Sequence, residues 1–325
     1  MKMNSNVVTL ATLMALAASS SMVHANEAVE NYPEETLNYI VAFGPGGGNN
    51  LMSRTLVDII NQYDLYPGQD IVVENRAGGS GAIGFGYVSR QEGSPYYATS
   101  TSGNFITTPL ISNTDWDYSD FTPIGLLASD AMFLVVPADS EYQTVEDFAE
   151  AASSQTLLVG GTGSAGPSRV VASLFAKEAG IDFEYLPAGT GGEMVTALTS
   201  GSVHAIVANP SEVSGQMEAG NFRALAYSDS DRSSVYPTIP TFREEGYDFT
   251  FSLPRGVVLP ANLPDGIQEW WVDSLKRAVT TPEWNEYLET NSLSGNYIWG
   301  EDFGEYLKST SNVYEEILRE VGAIN

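Results

Sequence analysis

The 325-residue chain has no cysteine, so disulfides, thiolate zinc sites and cysteine nucleophiles are excluded. Basic residues are scarce: 14 Lys and Arg stand against 41 Asp and Glu, a formal net charge of -27. A nucleic-acid binder needs clustered Lys and Arg to neutralise phosphates, and no such cluster exists, so nucleic acid is excluded as a partner. Histidine is limited to two residues, His24 and His204. Long apolar runs are also missing: the longest, Val7 to Ala18, falls short of the roughly 20 residues that span a bilayer.

What is present begins with a leader. Met1 to Ala25 carries Lys2, that apolar stretch, and small residues ending at Val23-His24-Ala25, the layout of a secretory signal peptide cleaved after Ala25. The expectation is export to the periplasm, with His204 as the sole histidine of the mature chain. A triad hydrolase would have to use it, and a histidine-based metal site lacks ligands. His204 lies in the apolar run from Val203 to Ala208, which reads as a strand with a packed or strand-end histidine.

Strand, glycine-rich loop and helix recur along the rest. Leu37 to Phe43 reads as a strand that stops at Gly44-Pro45-Gly46-Gly47-Gly48-Asn49-Asn50; the following helix places Met52, Leu56, Ile59, Ile60 and Tyr63 on one face. Asp70 to Glu74 feeds a loop from Asn75 to Gly84, and Tyr96 to Thr101 ends at Ser102-Gly103-Asn104. A second unit repeats the pattern: the strand Thr156 to Val159 before Gly160 to Arg169, the strand Phe183 to Leu186 before Pro187 to Glu193, and the strand Ala205 to Ala208 before Asn209-Pro210. The tail reads as a strand, Gly256 to Leu259, with helices around Ile267 to Val279 and Phe303 to Val321. This order predicts an α/β body of two domains with a cleft between them and loops at the carboxyl ends of the strands.

The chemistry should lie in those loops. Gly79-Ser80-Gly81-Ala82-Ile83-Gly84 and Gly161-Thr162-Gly163-Ser164-Ala165-Gly166 both fit G-x-G-x-x-G. Such loops offer backbone N–H groups and a helix amino terminus to any anion, carboxylate or phosphate. One loop in each domain suits two walls holding a small anion, and no nucleotide or other cofactor is expected. Ser80 is one residue away from a G-x-S-x-G nucleophile elbow, so a secreted serine hydrolase using Ser80 is the alternative; His204 would be its base.

Several segments in order resemble one family. Val41 to Asn50 with Arg54, Gln69 to Arg76 with its glycine loop, Asp120-Phe121-Thr122-Pro123-Ile124, Gly161 to Arg169, Gly201 to Ala205, Arg223 to Ala226, and Tyr236 to Phe242 leading to Glu245-Gly246-Tyr247 together look like the Bug-type substrate-binding receptors of tripartite tricarboxylate transporters. Gly191-Gly192-Glu193 and Leu253-Pro254-Arg255-Gly256-Val257 are similar to the tricarboxylate-receptor branch, although Leu253-Pro254 replaces an aromatic residue common there.

The resemblance implies an α/β, two-domain periplasmic-binding-protein fold, type II-like, with the ligand cleft between domains and closure by hinge motion. It implies domain 1 from 26–130 plus 252–325 and domain 2 from 131–251, no catalysis, no metal, a monomer, and integral-membrane transporter subunits as partners. The ligand would be a di- or tricarboxylate, held from the first domain by Gly47, Asn49, Asn50, Ser80, Ser102 and Asn104. The second domain would supply Thr162, Ser164, Ser168, Arg169, Gly191, Gly192 and Asn209, with Arg255 as an addition. Asn50 stands where many members carry Asp, and Arg169 where many carry His. Both differences make the expected cleft more cationic, which favours more carboxylates.

Overall fold

The computed structural model describes residues 29–45, 48–163, 166–188, 191–291, 293–320, 322 and 324; the leader and its cleavage site lie outside them. The first sheet collects β1 (Leu37–Val41), β2 (Ile71–Asn75), β3 (Tyr97–Ser100), β4 (Phe121–Ala131), β10 (Ser252–Pro260) and β11 (Ser294–Trp299), in the order β11-β4-β10-β3-β1-β2. The second collects β5 (Phe133–Pro137), β6 (Leu158–Thr162), β7 (Glu184–Ala188), β8 (Ala205–Ala208) and β9 (Phe222–Tyr227), in the order β7-β6-β8-β5-β9.

In the first sheet β1 pairs parallel with β2 and β3, and in the second β6 pairs parallel with β7 and β8. All three strands of each set therefore release their loops at the same sheet edge, the place where open α/β sheets gather ligand-binding residues. Helices follow those loops: α1 (Gly48–Gln62), α2 (Ala82–Ser89) and α3 (Gly103–Ile111) in the first unit. The second unit has α4 (Val145–Ser154), α5 (Pro167–Ala179), α6 (Gly191–Thr199) and α7 (Pro210–Glu218). The tail adds α8 (Ile267–Ala278), α9 (Pro282–Thr290) and α10 (Gly300–Glu320). The short strand β11 and helix α9 separate the two tail helices expected from the sequence.

Apolar spacing decides which helix faces are covered. Met52, Leu56, Ile59 and Ile60 of α1 are buried with Trp271, Leu275 and Trp284 on one face of the first sheet. Tyr63, expected on that face, falls just beyond α1; it is partly exposed, and its hydroxyl donates to Glu283 Oε2 at 2.9 Å. A second cluster runs from Phe85, Phe105 and Trp116 through Phe251 and Tyr314 to Val136, Val159 and Phe175, joining the two sheets in one apolar body.

The chain crosses between sheets from β4 to β5 and again from Phe249 to Ser252. Ser228, just after β9, ties both crossings. Its Oγ accepts from Met132 N at 2.9 Å and donates to Phe251 O at 2.6 Å, while its carbonyl accepts from Phe251 N at 2.6 Å.

Candidate functional site

Between the two loop clusters lies a cavity of about 490 Å³, inside the roughly 300–1,000 Å³ range of small-molecule sites. The first sheet's side supplies Phe43, Gly48, Asn49, Ser102, Asn104, Leu253 and Arg255, among others, and the second sheet's side supplies Gly166 and Pro167. Three helices begin at its wall: α1 at Gly48, α3 at Gly103 and α5 at Pro167. Each amino terminus carries about half a positive charge on N–H groups with no intrahelical partner, so their convergence favours an anion.

The side chains at this wall have unused hydrogen-bonding capacity. Ser102 is the N-cap of α3, yet it makes no capping bond, and its Oγ is buried without a partner. Asn49, 6 % exposed, donates from Nδ2 to Ser100 O at 2.9 Å and Thr101 O at 3.2 Å, which leaves its buried Oδ1 unpartnered. Arg255 on β10 reaches across to α1: a Cβ on Gly48 would stand 3.0 Å from Arg255 Nη1. Its Nη2 donates to Asp130 Oδ2 at 2.5 Å, and its buried Nε has no partner. Burial disfavours the guanidinium charge, but the Asp130 carboxylate more than offsets this and leaves Arg255 more basic than usual.

Asp130 has a second bond. Its Oδ1 accepts from Asn209 Nδ2 at 2.5 Å, so this carboxylate at the end of β4 links β10 of the first sheet to the loop after β8 of the second. Asn209 also caps α7 in a reciprocal arrangement with Glu212, whose Oε2 accepts Asn209 N at 3.1 Å. The Glu212 carboxylate leaves no room for a Cβ on Gly191, and burial raises its pKa, with Asp130 adding to the shift.

The expected site residues divide as follows. Asn49, Ser102, Asn104 and Arg255 line the cavity. Asn50 does not: it is buried in the first turn of α1, where its Oδ1 accepts from Asn75 Nδ2 at 2.8 Å and Arg54 Nε at 3.2 Å. Ser80 is exposed in a left-handed turn (φ 56°), away from the cavity lining, with its carbonyl accepting from Thr108 Oγ1 at 2.9 Å. Thr162 ends β6, and Ser168 is buried in the first turn of α5. Arg169 holds its guanidinium 4.8 Å from the Tyr185 ring centroid, with a buried, unpartnered Nε. Gly191 and Gly192 begin α6. Gly47 and Ser164 lie outside the described residues. Asp130, which sequence reasoning missed, sits inside an apolar strand with no motif to mark it.

The two residues of the hydrolase alternative belong to different units. Ser80 follows β2, whereas His204 precedes β8; it is exposed, and its Nδ1 accepts Leu158 N at 2.9 Å. The Gly161 loop owes its glycine to packing, since a Cβ there would strike Ser168 and Tyr185.

Two α/β units joined by paired crossings, with an anion-matched cleft between their loop edges, define a periplasmic-type binding protein. The chain belongs to the family described as the tripartite tricarboxylate transporter family receptor, which residues 61–323 match. It is 24 % identical over 312 residues to the "UPF0065 protein in gbd 5'region" of Cupriavidus necator, covering 95 % of this chain and 93 % of that one. It is 26 % identical to Protein BugT of Bordetella pertussis, covering 89 % of this chain and 87 % of that protein. The crystal structure of a TctC solute binding protein from Polaromonas superposes with a TM-score of 0.84 at 25 % identity, over 89 % of this chain and all of that one. The same fold appears at lower identity in MatC from Rhodopseudomonas palustris with bound malate (TM-score 0.63, 19 %, 88 % of this chain and 100 % of that one). It appears again in an R. palustris protein with adipate (TM-score 0.64, 21 %, 90 % and 99 %).

Proposed function

We propose that this protein is a periplasmic receptor, with no catalytic activity of its own, that takes a small organic carboxylate into the cleft and delivers it to the membrane subunits of a tripartite tricarboxylate-type transporter. The observation that carries this reading is the meeting of three helix amino termini with Arg255 at one cavity whose buried polar atoms are unpartnered. Such atoms are costly until a ligand satisfies them. Malate and adipate in two proteins of this fold agree with carboxylate chemistry.

On this reading the first domain comprises 26–130 and 252–325 and the second 131–251; the second domain swings Arg169, Thr162, Ser168, Gly191, Gly192 and Asn209 toward a ligand held on the first. The receptor acts as a monomer, exported by cleavage after Ala25.

The test is calorimetry of the mature chain against a panel of organic acids. Binding of at least one acid is expected, with Arg169→Ala weakening it by about 1.5–3 kcal/mol, the range for a charge-assisted hydrogen bond. No heat from any carboxylate would overturn the proposal.

A further inference from the structure

Accepting the receptor reading, we infer that the ligand is an acid with one carboxylate and an apolar body, and that Asp130 and Leu253 select it. Three observations carry the inference.

The first is charge. Among the described residues lining the cavity, Arg255 is the only ionised side chain, and Asp130 already holds it. Nearby in the second unit, Arg169 has no acidic partner among the described ion pairs, but Glu212 lies against Gly191. These four groups sum to zero formal charge, and with Arg255 held by Asp130 the cation left for a ligand is Arg169, acting with the helix amino termini. Together they can compensate one carboxylate; a second or third would sit near Asp130 and Glu212 without a cation of its own.

The second is the number of free donors. Among the described residues lining the cavity, two buried side-chain donors lack partners, Ser102 Oγ–H and Arg255 Nε–H. One carboxylate has two oxygens to offer them. Asn49 Oδ1, also unpartnered, can only accept, so it suits a hydroxyl or a water beside the carboxylate and repels another carboxylate oxygen.

The third is the remaining wall. Phe43, Ile111, Pro167 and Leu253 form an apolar surface, with Ile111 53 % exposed. Leu253 is pressed onto the start of α3, where a Cβ on Gly103 would lie 2.8 Å from its Cδ2. An alkyl or aryl body gains by covering this wall, whereas a carboxylate placed there loses water and meets no side-chain donor from these four residues.

The experiment is calorimetry at fixed ionic strength with hexanoate, adipate, citrate, and the pair 4-methylpentanoate and leucine. Hexanoate is expected to bind more than about tenfold tighter than adipate, with citrate weaker still. Leu253→Asn should bring hexanoate and adipate within about threefold of each other, because the apolar contact is lost for one and a donor is gained for the other. Asp130→Asn should raise the adipate-to-hexanoate affinity ratio by about tenfold, since Arg255 is then free to serve a second carboxylate. A loss of packing alone would not move that ratio. If either variant fails to fold, the ranking of acids on the natural chain decides. Tighter binding of adipate or citrate than hexanoate would overturn the inference and leave the receptor reading intact. So would tighter binding of leucine than 4-methylpentanoate, which would give Asp130 and Glu212 an ammonium to hold. Silence toward every acid would overturn both.

Discussion

Arg255 and Asp130 form the least exposed ion pair among the described residues, at 18 % and 12 % side-chain exposure. Removing one partner should cost far more than the pair contributes. Arg255→Met leaves the Asp130 carboxylate without its cation and is expected to lower stability by about 3 kcal/mol in urea unfolding. Adding Asp130→Asn to that chain should restore most of the loss, yet not ligand binding. A second carboxylate, Asp229, is 6 % exposed behind the crossings, where burial pushes its pKa up to about 6 against bonds from Ser230 N and the Ser129 hydroxyl. The folded chain therefore holds this proton more tightly than the unfolded one. The cost of the bare charge is full above pH 6 and fades as pH falls toward 4, the ordinary aspartate value. Asp229→Asn should raise the melting temperature at pH 8, where the natural chain carries that cost, and have little effect at pH 4. Equal shifts at both values would show that the gain has another source.

At the scale of elements, the cleft depends on where helices begin. Gly48→Ala tests this, since the added methyl would meet Arg255 Nη1 at 3.0 Å while improving helix propensity. The expected result is a loss of about tenfold in carboxylate affinity with an unchanged or higher melting temperature; unchanged affinity would mean that the guanidinium gives way freely. The starts of α1 and α5 were legible because glycine-rich loops punctuate the parallel strands, and the fold class followed from that rhythm. Other elements left weaker traces. β4 is interrupted by Pro123 and Gly125 and pairs with β10 through register shifts, so neither strand's full length stands out as an alternating run. α2 is apolar nearly all round and α3 contains Pro109, which removes the helical signal from both. In the candidate site, Asn49, Ser102 and Asn104, which the family resemblance implied, line the cavity. Asn50 is their neighbour in sequence, but one step along a helix turns a side chain by about 100°, and it meets Asn75 instead. A partner brought in from a distant strand, as Asp130 is, leaves no local pattern.

For the molecule as a whole, the charge of -27 belongs to the shell and the neutral sum to the cleft. Like charges spread over the surface oppose compaction, and salt screens them over roughly 8 Å at physiological ionic strength. Melting temperature should therefore climb with sodium chloride; a flat response would show that the surface acids are already compensated. The same scale governs motion. Met132 and Phe251 both hydrogen-bond to Ser228 Oγ, so the two crossings cannot slide past one another without breaking buried bonds. Ser228→Ala should cost about 1–3 kcal/mol in unfolding, the penalty for leaving buried groups unpaired. Two strands pinned at one point make an axle rather than a slide. About an axle, displacement grows with radius: groups beside Asp130 travel little, while the outer rims of the two units travel far. On the proposed receptor reading, such an axle would make the protein a lever, with the ligand on its short arm and whatever meets the rim on its long one.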